Sequence, residues 1–281
     1  MENYKISYHS VNTYSSKIHE ALLEFLVIPS TYEGYILENY NITSTPRTKF
    51  YLSKNLNGFQ VIKYRITQPL TEFEFDFNAN VSLGNRSIFE SNSNFSSLSS
   101  WKTLQSHSFK INYLNYLQQT YYTKLANSEI TLSLPNLNKP ILTFCLNIMQ
   151  FVYQIIEFKQ GETNTATTAS EVLKLRKGVC QDFTHLFLSL MRKTGLPARY
   201  VSGYLNQGTE YRGSAFMHAW AEVMIPELGW TGFDPTNNLI VNNNYLKVSH
   251  GSDYSECGTL KGIVRSNGTN KTEYTVQVVE Q

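Results

Sequence analysis

Charge is scarce in this chain. Lys and Arg number 24 against 22 Asp and Glu, so the formal net charge is +2 over 281 residues, and charged residues make up only 16%. No basic run concentrates that charge, so neither nucleic acid nor an anionic membrane surface is an expected partner. Long apolar runs are also missing. No segment approaches the roughly 20 apolar residues that a bilayer-spanning helix needs. Met1 to Tyr8 shows no basic stretch followed by an apolar one, and a soluble cytoplasmic protein is expected. Cysteine is limited to Cys145, Cys180 and Cys257. An odd number without zinc-like pairing argues against a disulfide framework or a structural metal site, and leaves at least one thiol free. Triplets such as Asn41-Ile42-Thr43 match the glycosylation pattern, but in an Asn-rich chain without a secretory signal they are read as accidental.

What is present is apolar and aromatic: 41% hydrophobic residues with 19 Tyr and 16 Phe. That composition and length predict a globular protein of one or two domains with a full core. From Tyr4 to about Phe77, runs rich in Tyr, Ile, Val, Phe and Thr predict antiparallel β structure over Tyr4 to Tyr8, Ala21 to Ile28, Glu38 to Ser44 and Phe59 to Thr67. Asn57-Gly58 is a hairpin candidate. The polar stretch Ser91 to Ser100 reads as a linker. Between Trp101 and Ile156 the spacing turns helical, with Phe144, Ile148, Phe151, Val152 and Ile155 forming one face. Ala169 to Lys177 reads as a short helix. After Cys180, the residues Phe183, Leu186, Phe187, Leu190 and Met191 predict an amphipathic helix that Gly195 and Pro197 end. Ala198 to Leu205, Ala215 to Met224 and Trp230 to Phe233 read as strands, and Thr259 to Val264 with Glu273 to Val279 as a final hairpin. The expected organisation is therefore α+β: a β-rich domain over residues 1–90, a linker and helical region over 91–160, and a core over 161–281 that includes the closing hairpin.

The chemistry concentrates at Gly178-Val179-Cys180-Gln181-Asp182-Phe183, where a glycine-containing turn delivers a thiol to a helix start. Unpaired N–H groups and the positive end of the helix dipole favour a thiolate there. The backbone N–H of Cys180 is also a candidate oxyanion donor. Downstream, His218 and Asp234 lie on two strand-like segments joined by Ile225 to Gly229. If Val223 pairs near Gly229, partner numbers sum to about 452, which sets His218 opposite Asp234; a shift of two residues would still leave them diagonal neighbours on one face. The carboxylate can then fix the imidazole tautomer and stabilise its cation. His185 competes for the role of base. On a helix, however, it lies about 140° around the axis from Cys180, so it points away and is expected to be packed or hydrogen-bonded. The ordinary readings are a small buried Cys, a structural strand His and a turn Asp. The joint pattern gives the functional reading comparable weight. Cys145, among apolar residues, and Cys257, in a polar loop, are expected to be non-catalytic. Asn237, after Asp-Pro-Thr, is as readily a turn residue and stays outside the candidate set.

These residues resemble those of the transglutaminase-like superfamily, in its bacterial branch of cysteine proteases. The resemblance rests on Gly178 to Phe183, Ala198 to Tyr204, His218-Ala219-Trp220-Ala221-Glu222-Val223 and Gly232-Phe233-Asp234-Pro235-Thr236-Asn237, in family order. The stretches Tyr8 to Tyr14 and Leu26 to Pro29 resemble the β-rich amino-terminal domain of that branch. The resemblance implies a papain-like α+β core, a Cys-bearing helix on an antiparallel sheet. Cys180 would be the nucleophile, His218 the base and later acid, and Asp234 its partner. The implied reaction is acyl transfer from a peptide or carboxamide through a thioester, with no metal or other cofactor. Water as acceptor makes the protein a thiol-dependent hydrolase; an amine acceptor makes it a transglutaminase. A non-catalytic binding or assembly module on the same fold is the alternative of a different class.

Overall fold

Alternation of inward and outward side chains along Glu2–Ile18 builds β1, whose even-numbered residues from Tyr4 to Tyr14 are all buried. A bend at His19 carries the chain into β2 (Glu20–Phe25). Then follow β3 (Tyr35–Thr45), β4 (Phe50–Lys54), β5 (Gln60–Ile66) and β6 (Leu70–Leu83). The β4–β5 connection is the hairpin expected at Asn57-Gly58, with Gly58 at a φ of 84°. In one sheet β6 lies between β1 and β3; in a second, β5 lies between β2 and β4. Phe25 and Phe75 stack across the two sheets with centroids 3.9 Å apart, and Phe73, Phe75 and Phe77 are fully buried. The computed structural model describes residues 2–31, 34–83, 97–126, 130, 135–206, 211–212 and 216–281.

The expected linker lies for residues 91–96 outside the described residues. Ser97 already opens α1 (Ser97–Gln105), followed by α2 (His107–Asn112), α3 (Leu114–Leu117) and α4 (Ile141–Ile155). The buried stripe of α4 is Ile141, Cys145, Ile148, Met149 and Val152, rotated from the expected face. Phe144, Phe151 and Ile155 are only partly buried against the same core. The β7 (Glu157–Phe158) pair with β8 (Lys177–Gly178) brackets α5 (Ala169–Leu175), whose Thr168 and Glu171 form a capping box. Next come α6 (Cys180–Lys193), β9 (Ala198–Leu205), β10 (His218–Ile225), β11 (Gly229–Asp234), β12 (Leu239–Ile240) and β13 (Tyr245–Gly251). They make a five-stranded antiparallel sheet in the order β12-β11-β10-β9-β13. Ala198, Tyr200, Ala219, Ala221, Val223 and Phe233 share one hydrophobic core with the apolar residues of α4, α5 and α6. The fold is α+β, as expected. Among the described residues no helix is long and apolar enough to cross a membrane.

After α7 (Tyr254–Cys257), the last strands β14 (Leu260–Arg265) and β15 (Asn270–Glu280) depart from the expected hairpin of the core. They go to different sheets: β14 pairs with β2 and β15 with β1, each completing a four-stranded sheet. Their alternation satisfies a strand in either setting, so the partner is decided by the edges that β1 and β2 leave open. The two ends of the chain thus build one β domain. Hydrogen bonds tie it to the core, from Tyr204 Oη to the Val27 carbonyl (2.6 Å) and from Tyr35 Oη to the Tyr245 carbonyl (2.5 Å).

Candidate active site

Cys180 owes its place to a tightly held turn. Arg176 ends α5 with a φ of 58°, and β8 then leads into Val179. Asp182 Oδ2 accepts hydrogen bonds from the Val179 N–H (2.7 Å) and from Thr163 Oγ1 (2.7 Å), clamping the first turn of α6. Gly178 is required by that approach, since a Cβ there would lie 2.6 Å from Asp182 Cβ. The half-buried Cys180 stands at the first helical position, where backbone N–H groups lack intrahelical acceptors.

His218 opens β10 opposite Gly203 of β9. A Cβ on Gly203 would meet the Leu246 carbonyl at 2.4 Å and Trp220 Cη2 at 2.5 Å, so glycine lets the indole beside His218 pack against the backbone. Ala221 pairs with Phe233 and Glu222 with Gly232, a sum two higher than the expected 452. The shift comes from the turn: Leu228 N–H closes on the Ile225 carbonyl, and Gly229 takes a φ of 73° before pairing with Ile225. His218 and Asp234 are therefore diagonal neighbours on one face, not directly opposed. They meet with Nε2 and Oδ2 2.7 Å apart, both side chains fully buried.

Asp234 is held by more than the histidine. Its Oδ1 accepts from the backbone N–H of Thr236 (2.9 Å) and Asn237 (3.2 Å). Its Oδ2 accepts from Asn237 Nδ2 (2.8 Å) and Tyr245 Oη (2.8 Å). Burial works against the carboxylate, but these donors and His218 outweigh it and hold its pKa below the usual range. For His218, burial opposes protonation, yet the Asp234 carboxylate and then the Cys180 thiol raise its pKa to about 10. With Nε2 committed to Asp234, Nδ1 is the nitrogen left for Cys180; it makes no closed hydrogen bond. Open resting contacts of this kind are common before substrate arrives.

Asn237 and Tyr245 were not among the sequence candidates. Asn237 also grips the chain leading to His218, accepting from the Arg212 N–H (3.0 Å) and donating to its carbonyl (3.1 Å). Its place three residues after Asp234 was a signal; Tyr245 lies on a strand whose pairing the sequence does not announce. His185 is fully buried away from the thiol. It accepts from the Tyr254 N–H at 3.2 Å and stacks on Tyr122, and burial lowers its pKa to about 3. Cys145 and Cys257 are also buried, and burial pushes the Cys257 thiol up to about 12. Cys257 ends α7, not the polar loop expected from the sequence.

Cys180 and His218 line a cleft of about 640 Å³. Its far wall comes from the β domain, through Tyr8 and Asn12 of β1, Leu23 of β2, Gly262 of β14, and Thr272 and Tyr274 of β15. The arrangement puts the Cys180 thiol and the His218 imidazole at one cleft, with the buried Asp234 carboxylate hydrogen-bonded to the ring. A second buried cluster, where Glu222 bridges Arg199 (2.6 Å) and Lys247 (2.8 Å), crosses the sheet nearby but does not line it. Among the described residues no group of three potential ligands is placed to hold a metal ion.

A family model described as the transglutaminase-like superfamily matches residues 134–235. An uncharacterized protein of Mycobacterium tuberculosis is 35% identical over 151 residues, which are 50% of this chain and 48% of that protein. The chain thus spans about half the length of that relative. An uncharacterized protein of Mycobacterium leprae is 27% identical over 249 residues, 84% of each. The crystal structure of a putative cysteine protease from Cytophaga hutchinsonii matches with a TM-score of 0.75 and 20% identity, covering 99% of this chain and 90% of that one; the fold is shared.

Proposed function

We propose that this chain, which the match over residues 134–235 assigns to the transglutaminase-like superfamily, is a thiol-dependent acyl-transfer enzyme hydrolysing peptide or carboxamide bonds. The observation that carries this reading is the fully buried His218, bonded through Nε2 to the Asp234 carboxylate at 2.7 Å and lining one cleft with the Cys180 thiol. A buried cation without acidic partners would be costly, and here the partners are the two groups that thiol chemistry requires.

The mechanism follows from those positions. The proton of Cys180 resides on His218 Nδ1, and the thiolate sulfur attacks the substrate carbonyl carbon, making a tetrahedral oxyanion within reach of the Cys180 N–H. As the C–N bond breaks, the imidazolium gives its proton to the leaving amine or ammonia, and a thioester remains. Water then enters, loses a proton to His218 and adds to the thioester carbon. The S–C bond breaks, the acid product leaves, and the thiolate is restored beside the imidazolium. Asp234 keeps Nε2 protonated and the ring oriented throughout.

The test is incubation with a glutamine-containing peptide, with and without a labelled primary amine. Release of ammonia or peptide without incorporation of the amine supports hydrolysis. Amine incorporation sinks pure hydrolysis and assigns transamidation. Slow iodoacetamide labelling of Cys180 at neutral pH that does not change in His218→Ala would leave the non-catalytic binding module as the reading.

A further inference from the structure

The wall of the cleft opposite Cys180 is chemically distinctive. None of the described residues lining it is Asp, Glu, Lys or Arg; it presents instead the rings of Tyr8, Tyr14 and Tyr274 and the amides of Asn12 and Asn270. A charged substrate group seated against that wall, rather than beside His218, would lose hydration and find no counter-charge on it, a penalty that a neutral polar group avoids.

Within that wall Asn12 is anomalous. The inward row of β1 runs Tyr4, Ile6, Tyr8, Ser10, Asn12 and Tyr14, and of its two polar members it is Asn12 that lines the cleft. Asn12 is only 2% exposed, yet its Nδ2 has no hydrogen-bond partner. Its Oδ1 accepts from Thr272 Oγ1 at 2.7 Å, and Thr272, its cross-strand partner on β15, lines the same cleft. One hydroxyl can satisfy only one end of the amide. A buried donor left unpaired loses its hydration without compensation, a loss that a bound acceptor recovers.

We infer that the β domain carries the specificity subsite of this enzyme: Asn12, oriented by Thr272, donates to a carbonyl oxygen of the acyl donor, and the cleft accepts only an uncharged segment there. The inference rests on the acyl-transfer reading of the same cleft and adds to it the substrate class, a neutral amide-bearing chain. It also gives a role to the pairing of both chain ends into one domain, because β1 and β15 together place the Asn12–Thr272 pair. Asn12 is a specificity residue and takes no part in the proton transfers.

Chloroacetyl-Gly-Xaa-amides test this, with Xaa as Ala, Gln, Glu or Lys. The Cys180 sulfur forms a bond to the methylene carbon as the carbon–chlorine bond breaks and chloride leaves. Saturation kinetics separate probe binding from alkylation, and iodoacetamide reports thiol reactivity alone. The wild-type protein should take the Ala and Gln probes at least about tenfold more efficiently than the Glu and Lys probes. Asn12→Ala should lose about tenfold in binding the neutral probes at an unchanged iodoacetamide rate, as expected for one lost hydrogen bond. Asn12→Asp should shift the preference to the Lys probe. Should either Asn12 variant fail to fold, Thr272→Val, which frees the amide to turn, should weaken neutral-probe binding in the same sense. Wild-type labelling blind to charge, or selectivity unmoved in a folded Asn12 variant, overturns the inference. Slow iodoacetamide labelling of the wild type, independent of His218, overturns instead the acyl-transfer reading on which it rests.

Discussion

Replacing Asp234 by Asn keeps the size of the side chain and removes its charge. Its Oδ1 position faces two backbone donors, so the new carbonyl oxygen belongs there and the new NH2 takes the Oδ2 position. That NH2 would face His218 Nε2, Asn237 Nδ2 and Tyr245 Oη, all donors in the native protein. The tyrosine hydroxyl can turn to accept, but Asn237 cannot flip without breaking both of its bonds to Arg212. His218 can adapt only by shifting its proton to Nδ1, which turns N–H toward the thiol that it should deprotonate. The carboxylate that offsets burial is gone as well. His185 shows the consequence within the same molecule: a fully buried imidazole with no carboxylate hydrogen-bonded to it has its pKa lowered to about 3. His218, now at about 10, should become neutral at pH 7 in the variant. An ordinary thiol of pKa about 8.5 is roughly 3% thiolate at that pH, so iodoacetamide labelling should slow by up to about 30-fold, less whatever intrinsic nucleophilicity is gained. Turnover of an amide should fall further, on the order of 10³ to 10⁴, because the acid that protonates the leaving amine is lost too. The assays are labelling rate against pH and steady-state turnover, with thermal unfolding to verify the fold. A variant that labels at the wild-type rate with the wild-type pH profile would refute the ion-pair argument.

The pH dependence carries its own sign. The His218 pKa is raised in the folded protein, so its contribution to stability is complete below the ordinary value near 6.5 and is lost as pH rises through about 10; turnover should fall over that same basic range. Urea unfolding and rate profiles between neutral pH and 10.5, roughly half a unit beyond that pKa, check both, and a basic limb near 6.5 in each would contradict the assignment. Asn237→Ala removes a charge-assisted bond to Asp234 and the clasp on Arg212, and should lower kcat about 10- to 100-fold with little change in KM. An unaltered kcat would make Asn237 a turn residue only. Glu222→Ala takes away the carboxylate shared by buried Arg199 and Lys247, and should cost about 3 to 5 kcal/mol in urea unfolding; a loss below about 1 kcal/mol would contradict the burial argument.

Much of this fold was legible locally. The alternation in β1 matches a repeat of two because one face of that strand is buried, while the helical spacing after Cys180 and the run Ala198 to Leu205 were legible although both elements are buried along nearly their whole length. The candidate residues were legible for the same reason: a thiol at a helix start and polar residues on neighbouring strands stand out against an apolar background. Smaller errors trace to detail that the repeat leaves open. The stripe of α4 could rotate because its aromatic residues suit either a buried or a half-buried position, and the β10–β11 register moved by two through one left-handed glycine.

By itself, then, the sequence marked several strands and helices, β1, α4 and α6 among them, and singled out Cys180, His218 and Asp234 as candidates, since those follow from neighbours a few residues apart. Tertiary structure alone decided that β14 and β15 part to complete two different sheets, that Tyr245 and Asn237 hold Asp234, and that Asn12 lies across a cleft from Cys180. A strand's alternation names its buried face but not its partner, and Thr272 reaches Asn12, 260 positions away in sequence, only because the first and last strands pair.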